Sequence, residues 1–341
     1  MVAAVPTTHR YAMAHHLRRD PDGLGIITGT AEATAAGITP TMIATRLRTG
    51  AWTSLYQGRY ERTWAVTPTG DPHADKINTH VALAVAAARS NPMSVIALES
   101  AAALRGLPLT RGIPHLPQLI RMNGHGKIRA RAHVHQQSLD PHDYEASLTH
   151  PGCLVTTGLR TFADIARMGH LADAFSVGDR AVRLGLFTLD DARALALASK
   201  GRGVRTLRCA AHHLDGARET PLESLSYAAF LSSGLPLPEL QVDFTTRVGL
   251  ARVDFFWRAQ RVVGEADGLG KYSQRDDLVA EKRREDALRE LGLKVVRWTW
   301  ADLADNFTGT MSRIARELGS PLSLDSPSPL VTRSMSTPKD W

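Results

Sequence analysis

Only two cysteines, Cys153 and Cys209, occur in the 341 residues, far apart and outside any CxxC spacing. Neither a zinc knuckle nor a disulfide framework is therefore expected, and both read as small buried hydrophobes. No apolar run approaches the length of about 18 residues that a membrane span requires, and the N-terminal stretch MVAAVPTTHRYAMAHHLRRD lacks a signal-peptide hydrophobic core. A cytoplasmic protein without a membrane partner is the expectation. Histidine is absent after His213. The close pairs His133/His135 and His212/His213 lack a second ligand pair at a metal-binding spacing, so they read as solvent-facing or phosphate-contacting histidines.

The chain is too long for one small core, and its 43% apolar and 22% charged residues match an ordinary globular protein divided into two or three domains. A formal net charge of +7 is unevenly spread: residues 1–214 carry 24 Lys and Arg against 15 Asp and Glu, while residues 215–305 carry 13 against 16. The basic part suits attraction to phosphates. Carboxylates clustered in a region that also meets nucleic acid make sense if a cation sits between them, the alternative being two unlike solvated surfaces.

Residues 24–66 have a helix-turn-helix rhythm. Thr30 can cap a helix over Ala31–Ala36 that Gly37 ends; Thr39 caps the next, with Pro40 at its first position and Gly50 after its last. In that second helix Met42, Ile43 and Leu47 fall on one side, leaving Thr41, Ala44, Thr45 and Arg48 on the other. Ala51–Tyr56 and Arg59–Ala65, around a Gln57–Gly58 turn, predict a two-stranded wing. Through the phrases AAGI, LRTGAW and LYQGRY, this stretch resembles the N-terminal winged-helix domain of AbiEi-type antitoxins. The resemblance implies a DNA-binding domain over residues 9–67, with Thr41, Thr45, Arg48 and Arg59 toward DNA, and a toxin protein as a further partner. A small winged helix used for protein contact is the alternative.

Residues 74–213 suggest a mixed α/β connector. Helices are expected at Ile77–Arg89, Val95–Arg105 and through Thr161–Ser199, and strands at Gln118–Met122 and Lys127–Gln136. From about Gly319 the Ser- and Pro-rich residues to 341 predict a disordered tail.

Residues 216–305 give the clearest order of elements: a helix Pro221–Ser233 capped by Thr220, strands Leu240–Thr246, Leu250–Trp257 and Arg261–Ala266, a helix Asp276–Leu291, a strand Lys294–Trp298, and a helix starting near Trp300. Asp254 on the second strand and Glu265 eleven residues later at the end of the third can reach one edge of the sheet, with Glu223 on the first helix and Asp267 beside them. Crowded carboxylates resist ionisation unless a divalent cation neutralises them, and oxygen ligands suit Mg2+ or Mn2+. Lys271 is the candidate ammonium for developing negative charge. Taken alone, Asp254 is an edge residue or salt-bridge partner, GEADG is a loop, and Lys282–Arg283–Arg284 is a solvated helix face.

The phrases ETPLES, GLPLPELQVDF, RVDFFW, VVGEADGLGKY, EKRREDALRELG and VVRWTWADL resemble the very-short-patch-repair-like endonuclease domains of the PD-(D/E)XK, restriction-endonuclease-like superfamily. The resemblance implies an αβββαβ nuclease core, with Asp254 and Glu265 as metal ligands and Glu223, Asp254, Glu265 and Lys271 as catalytic residues of a Mg2+-dependent endodeoxyribonuclease in defence or repair; Asp267, at the strand exit, is expected as a further metal ligand from its place beside Glu265. Two positions depart from the pattern: Asp267 stands where the motif carries Lys, and Tyr227 where an Arg is expected. A nuclease fold that has lost activity, in a DNA-binding antitoxin or transcriptional repressor of a toxin-antitoxin system, is the alternative. The whole reads as an α/β (α+β) multidomain protein: winged helix, connector, nuclease-like core.

Overall fold

A computed structural model describes residues 24–62, 68–91, 93–122, 132–268 and 275–322, and divides the chain into two compact units. The first takes residues up to 107 and 112–161; the second takes 108–111 and residues from 162 onward. The stretch 74–213 thus contributes to both. Lys271, residues 9–23 and 63–67, and the expected tail beyond Leu322 lie outside the described residues.

The first unit opens with β1 (Ile27–Gly29), α1 (Thr30–Ala35), α2 (Pro40–Arg48), β2 (Trp52–Tyr56) and β3 (Arg59–Arg62), whose strands form an antiparallel sheet in the order β1-β3-β2. The local reasons are those of the sequence. Thr39 accepts the Met42 N–H, Pro40 opens α2, and Gly37 and Gly50 follow the two helices at positive φ. The first helix starts one residue earlier than a Thr30 cap would have it: Gly29 is the N-cap, and Glu32 accepts its N–H at 2.9 Å. Ile38, Ile43 and Trp52 close the core between the helices and the hairpin.

The unit continues through α3 (Pro72–Ser90), β4 (Ser94–Ile96), α4 (Leu98–Leu104), β5 (Gln118–Arg121), β6 (His133–Gln136), β7 (Tyr144–Ala146) and β8 (Leu154–Thr156), a second, mixed sheet ordered β6-β5-β4-β8-β7. The alanine-rich α3 shares one core with both sheets: Ala84, Val85 and Ala88 are buried with Ile27 and Leu55 from the first and with Ile96, Leu119 and Val155 from the second. Small side chains let helix and sheets approach closely. The expected helix Val95–Arg105 is divided, because Val95 and Ile96 are sandwiched between β5 and β8 as the central strand; α4 follows its N-cap Ala97 and begins at Leu98, φ +49°. A short β-branched run buried on both faces has no periodicity to distinguish strand from helix.

The second unit contains most of α5 (Gly158–Arg167), then α6 (Leu171–Arg183), α7 (Leu189–Ala198) and α8 (Val204–His213), interrupted at Gly169 and Gly185 in left-handed conformations. There follow α9 (Pro221–Ser232), β9 (Glu239–Thr246), β10 (Gly249–Trp257), β11 (Val262–Asp267), α10 (Arg275–Glu290), β12 (Lys294–Thr299), α11 (Trp300–Asp305) and α12 (Phe307–Leu318). The sheet order is β12-β11-β10-β9, antiparallel except for β11 and β12, which α10 joins as a parallel pair. Phe230 of α9 meets Phe255, Trp257 and Trp298 edge-on at centroid distances of 5.2–5.6 Å. Gly264 is required there: a Cβ would lie 2.7 Å from the Trp298 ring and 2.9 Å from Trp257. Phe256 and Val263 pack with Leu288 and Leu293 around α10. Among the described residues no helix is long and apolar enough to cross a membrane.

Candidate functional site

The carboxylates gather where the β10–β11 ladder opens. Paired residues run Trp257↔Val262, Phe256↔Val263 and Phe255↔Gly264. One step further on, the Asp254 side chain takes a hydrogen bond that a backbone carbonyl would otherwise accept: its Oδ2 receives the Ala266 N–H at 2.9 Å. Gly264 faces the tryptophans, so Glu265, the next residue on β11, projects to the opposite face, where Arg284 of α10 donates to Oε1 at 2.9 Å. Arg284 is itself held by Glu281 (3.1 Å) and by the Arg252 carbonyl.

Glu265 is 6% exposed. Burial first, and then the field of Asp254, push its carboxyl up to about 7, against the pull of Arg284 and Arg297. Glu223, 3% exposed, is raised for the same two reasons in the same order. Both carboxyls thus resist ionisation, first because they are buried and then because Asp254 is near.

Glu223 has a structural task as well. Its carboxylate accepts the Glu219 N–H (2.9 Å), the Thr220 N–H (3.1 Å), the Thr220 hydroxyl (2.8 Å) and the Gln241 amide (2.9 Å). The Thr220 N–H bond, with the Glu223 N–H returned to the Thr220 hydroxyl at 3.2 Å, makes a capping box at the start of α9, which the phrase T-P-L-E carries. Glu223 meets the site through Gln241, whose Nε2 also points at Asp254 Oδ1, 3.5 Å away. Gln241 was not anticipated; a lone Gln inside an alternating strand carries no signal of its own. Its backbone has φ +52°, a left-handed conformation inside a strand that costs a residue with a side chain about 1–3 kcal/mol.

Asp267 is ion-paired with Arg297 at 3.3 Å, and Arg297 also contacts Glu281 and Glu285. The cation recorded beside Glu265 is therefore Arg284, from the helix face read in the sequence as solvated. Tyr227 lies beneath the buried Arg218, whose guanidinium is 4.2 Å from its ring and 2.6 Å from Asp179.

Asp254, bonded to the Ala266 N–H, and Glu265, ion-paired with Arg284, are the carboxylates that interact across β10 and β11. Among the described residues no group of three or more His, Cys, Asp or Glu side chains is spaced to hold a metal ion. Two carboxylates nonetheless fit Mg2+ or Mn2+, which keep several waters and are commonly held by one or two carboxylates plus substrate phosphate.

In the first unit Thr41, Thr45 and Arg48 are exposed on α2, and so is Met42, at 43%, which the periodicity places with the buried Ile43. Arg59 is not with them. It donates to Glu32 at 2.8 Å and to the Arg89 carbonyl at 3.1 Å, and its guanidinium occupies the space a side chain at Gly29 would need. Burial pulls Glu32 upward, but the Gly29 N–H and Arg59 outweigh it and hold the carboxyl below its usual range.

No family model matches the chain. Over 169 residues it is 28% identical to the uncharacterized protein MT2308 of Mycobacterium tuberculosis (strain CDC 1551 / Oshkosh) and, equally, to the uncharacterized protein Rv2248 of strain ATCC 25618 / H37Rv. The match spans 49% of this chain and 62% of the length of each relative.

Proposed function

We propose that the second unit is a divalent-metal-dependent endodeoxyribonuclease and that the first unit binds DNA through α2. The observation that carries the nuclease reading is the nearness of Asp254 and Glu265 on adjacent strands β10 and β11, where burial first and then the charge of Asp254 raise the pKa of Glu265. A Mg2+ or Mn2+ ion held there would polarise a phosphodiester oxygen and lower the pKa of a bound water. Ala266 N–H orients Asp254. Arg284 fixes Glu265 and places a permanent positive charge beside it, the electrostatic part that the resemblance assigns to Lys271. The motif lysine is replaced by Asp267, whose charge Arg297 balances.

A second reading, the non-catalytic DNA-binding antitoxin or repressor, is favoured by the same ion pairs: Glu265 with Arg284 and Asp267 with Arg297 are complete without an added ion. Cleavage of supercoiled plasmid with Mg2+ or Mn2+ separates the two. Nicking by the full chain that is lost in folded Asp254→Asn and Glu265→Gln variants supports the nuclease. Equal nicking by all three proteins, or no nicking by any, rejects it.

A further inference from the structure

Gln241 joins three elements of the site. Its amide donates to Glu223, which is locked to the start of α9 by Glu219 and Thr220, and it faces Asp254, which is locked to β11 through Ala266. The β9–β10 register places it directly across from Asp254, since Val242 pairs with Val253 and Leu240 with Phe255. It does this from a left-handed backbone, φ +52°, in the middle of β9. The recorded β9–β10 pairs pass from Val242↔Val253 to Leu240↔Phe255 without a pair at Gln241 and Asp254, so the ladder is interrupted at that step. Strain of this kind persists where the surroundings impose it, and it is concentrated at functional sites.

We propose that Gln241 is a positioning residue for the cation site, held in a strained backbone so that its amide ties Asp254 to the fixed carboxylate of Glu223. The inference rests on the reading of Asp254 and Glu265 as cation ligands and extends it to a residue that touches neither ion nor substrate. A positioning residue kept at the expense of backbone strain has a recognisable signature: relieving the strain leaves stability intact or improved while the site loses affinity. Glycine adopts φ +52° without steric cost, and asparagine tolerates it better than other residues while being one methylene too short to span Glu223 and Asp254.

The test is Mn2+ titration calorimetry and thermal unfolding of the full chain, comparing wild type with Gln241→Gly and Gln241→Asn. The expected result is a Tm at or above that of wild type in at least one variant, with Mn2+ affinity reduced about 10- to 100-fold, the range for partners that orient metal ligands. Wild-type Mn2+ affinity in a folded variant overturns the inference while leaving the cation site standing, as does loss of stability in both variants. Absence of Mn2+ binding by the wild type overturns the reading of the site itself, and the role of Gln241 with it.

Discussion

Asp254 accepts the Ala266 N–H at 2.9 Å, one residue beyond the last paired position of β10 and β11. A catalytic carboxylate candidate thus also completes the backbone hydrogen bonding of its sheet. Asp254→Asn keeps an acceptor oxygen and should fold normally while losing divalent-cation affinity. Asp254→Ala should in addition lose about 1–3 kcal/mol of stability, because the Ala266 N–H is left without that acceptor. Urea unfolding of the two variants measures the difference; equal stabilities would mean that this hydrogen bond contributes nothing.

The architecture of the second unit was legible because each element there has its own boundary marker: Thr220 and Pro221 before α9, Gly292 after α10, and alternation along β9 and β10. Asp254 and Glu265 lie close because β10 and β11 are successive antiparallel strands that pair at the centre of the sheet. The groups that hold them were not legible. Arg284 sits in a run of alternating charges that looks solvated, and Gln241 acts through a backbone conformation that residue type does not encode. The central strand β4 was hidden for the opposite reason, being too short and too uniformly apolar to show a period.

His80 should make the first unit acid-sensitive. Its ring lies 2.7 Å from the Ser100 hydroxyl and is 4% exposed; burial, opposed by a hydrogen bond to the Pro114 backbone, lowers its pKa to about 4. In the unfolded chain the same ring titrates near 6.5, so the unfolded state takes up the proton first as pH falls. Stability is unaffected above about pH 6.5, is lost progressively down to about pH 4, and levels off below, a total of about 3 kcal/mol. Denaturant unfolding at pH 7, 5.5 and 4.5 measures the slope, which should be shallower in His80→Gln. Identical slopes would show that His80 is not responsible.

Arg48 and Arg59, both assigned to DNA from the sequence, should behave differently. Arg48 is exposed on α2 and Arg59 is tied to Glu32 and Arg89. Arg48→Ala should weaken duplex binding and reduce the slope of log affinity against log salt by about one contact. Arg59→Ala should lower Tm and leave the salt slope unchanged. Fluorescence anisotropy across a salt series distinguishes them, and a reduced slope for folded Arg59→Ala would put that residue back among the phosphate contacts.

The most direct test of the central claim is an anomalous-scattering map from crystals of the full chain soaked in Mn2+. The account predicts one strong peak beside Asp254 and Glu265, and no such peak in Asp254→Asn crystals. Density confined to other positions, or none while Arg284 remains on Glu265, would contradict the nuclease assignment and leave the second unit as a scaffold for a DNA-binding protein.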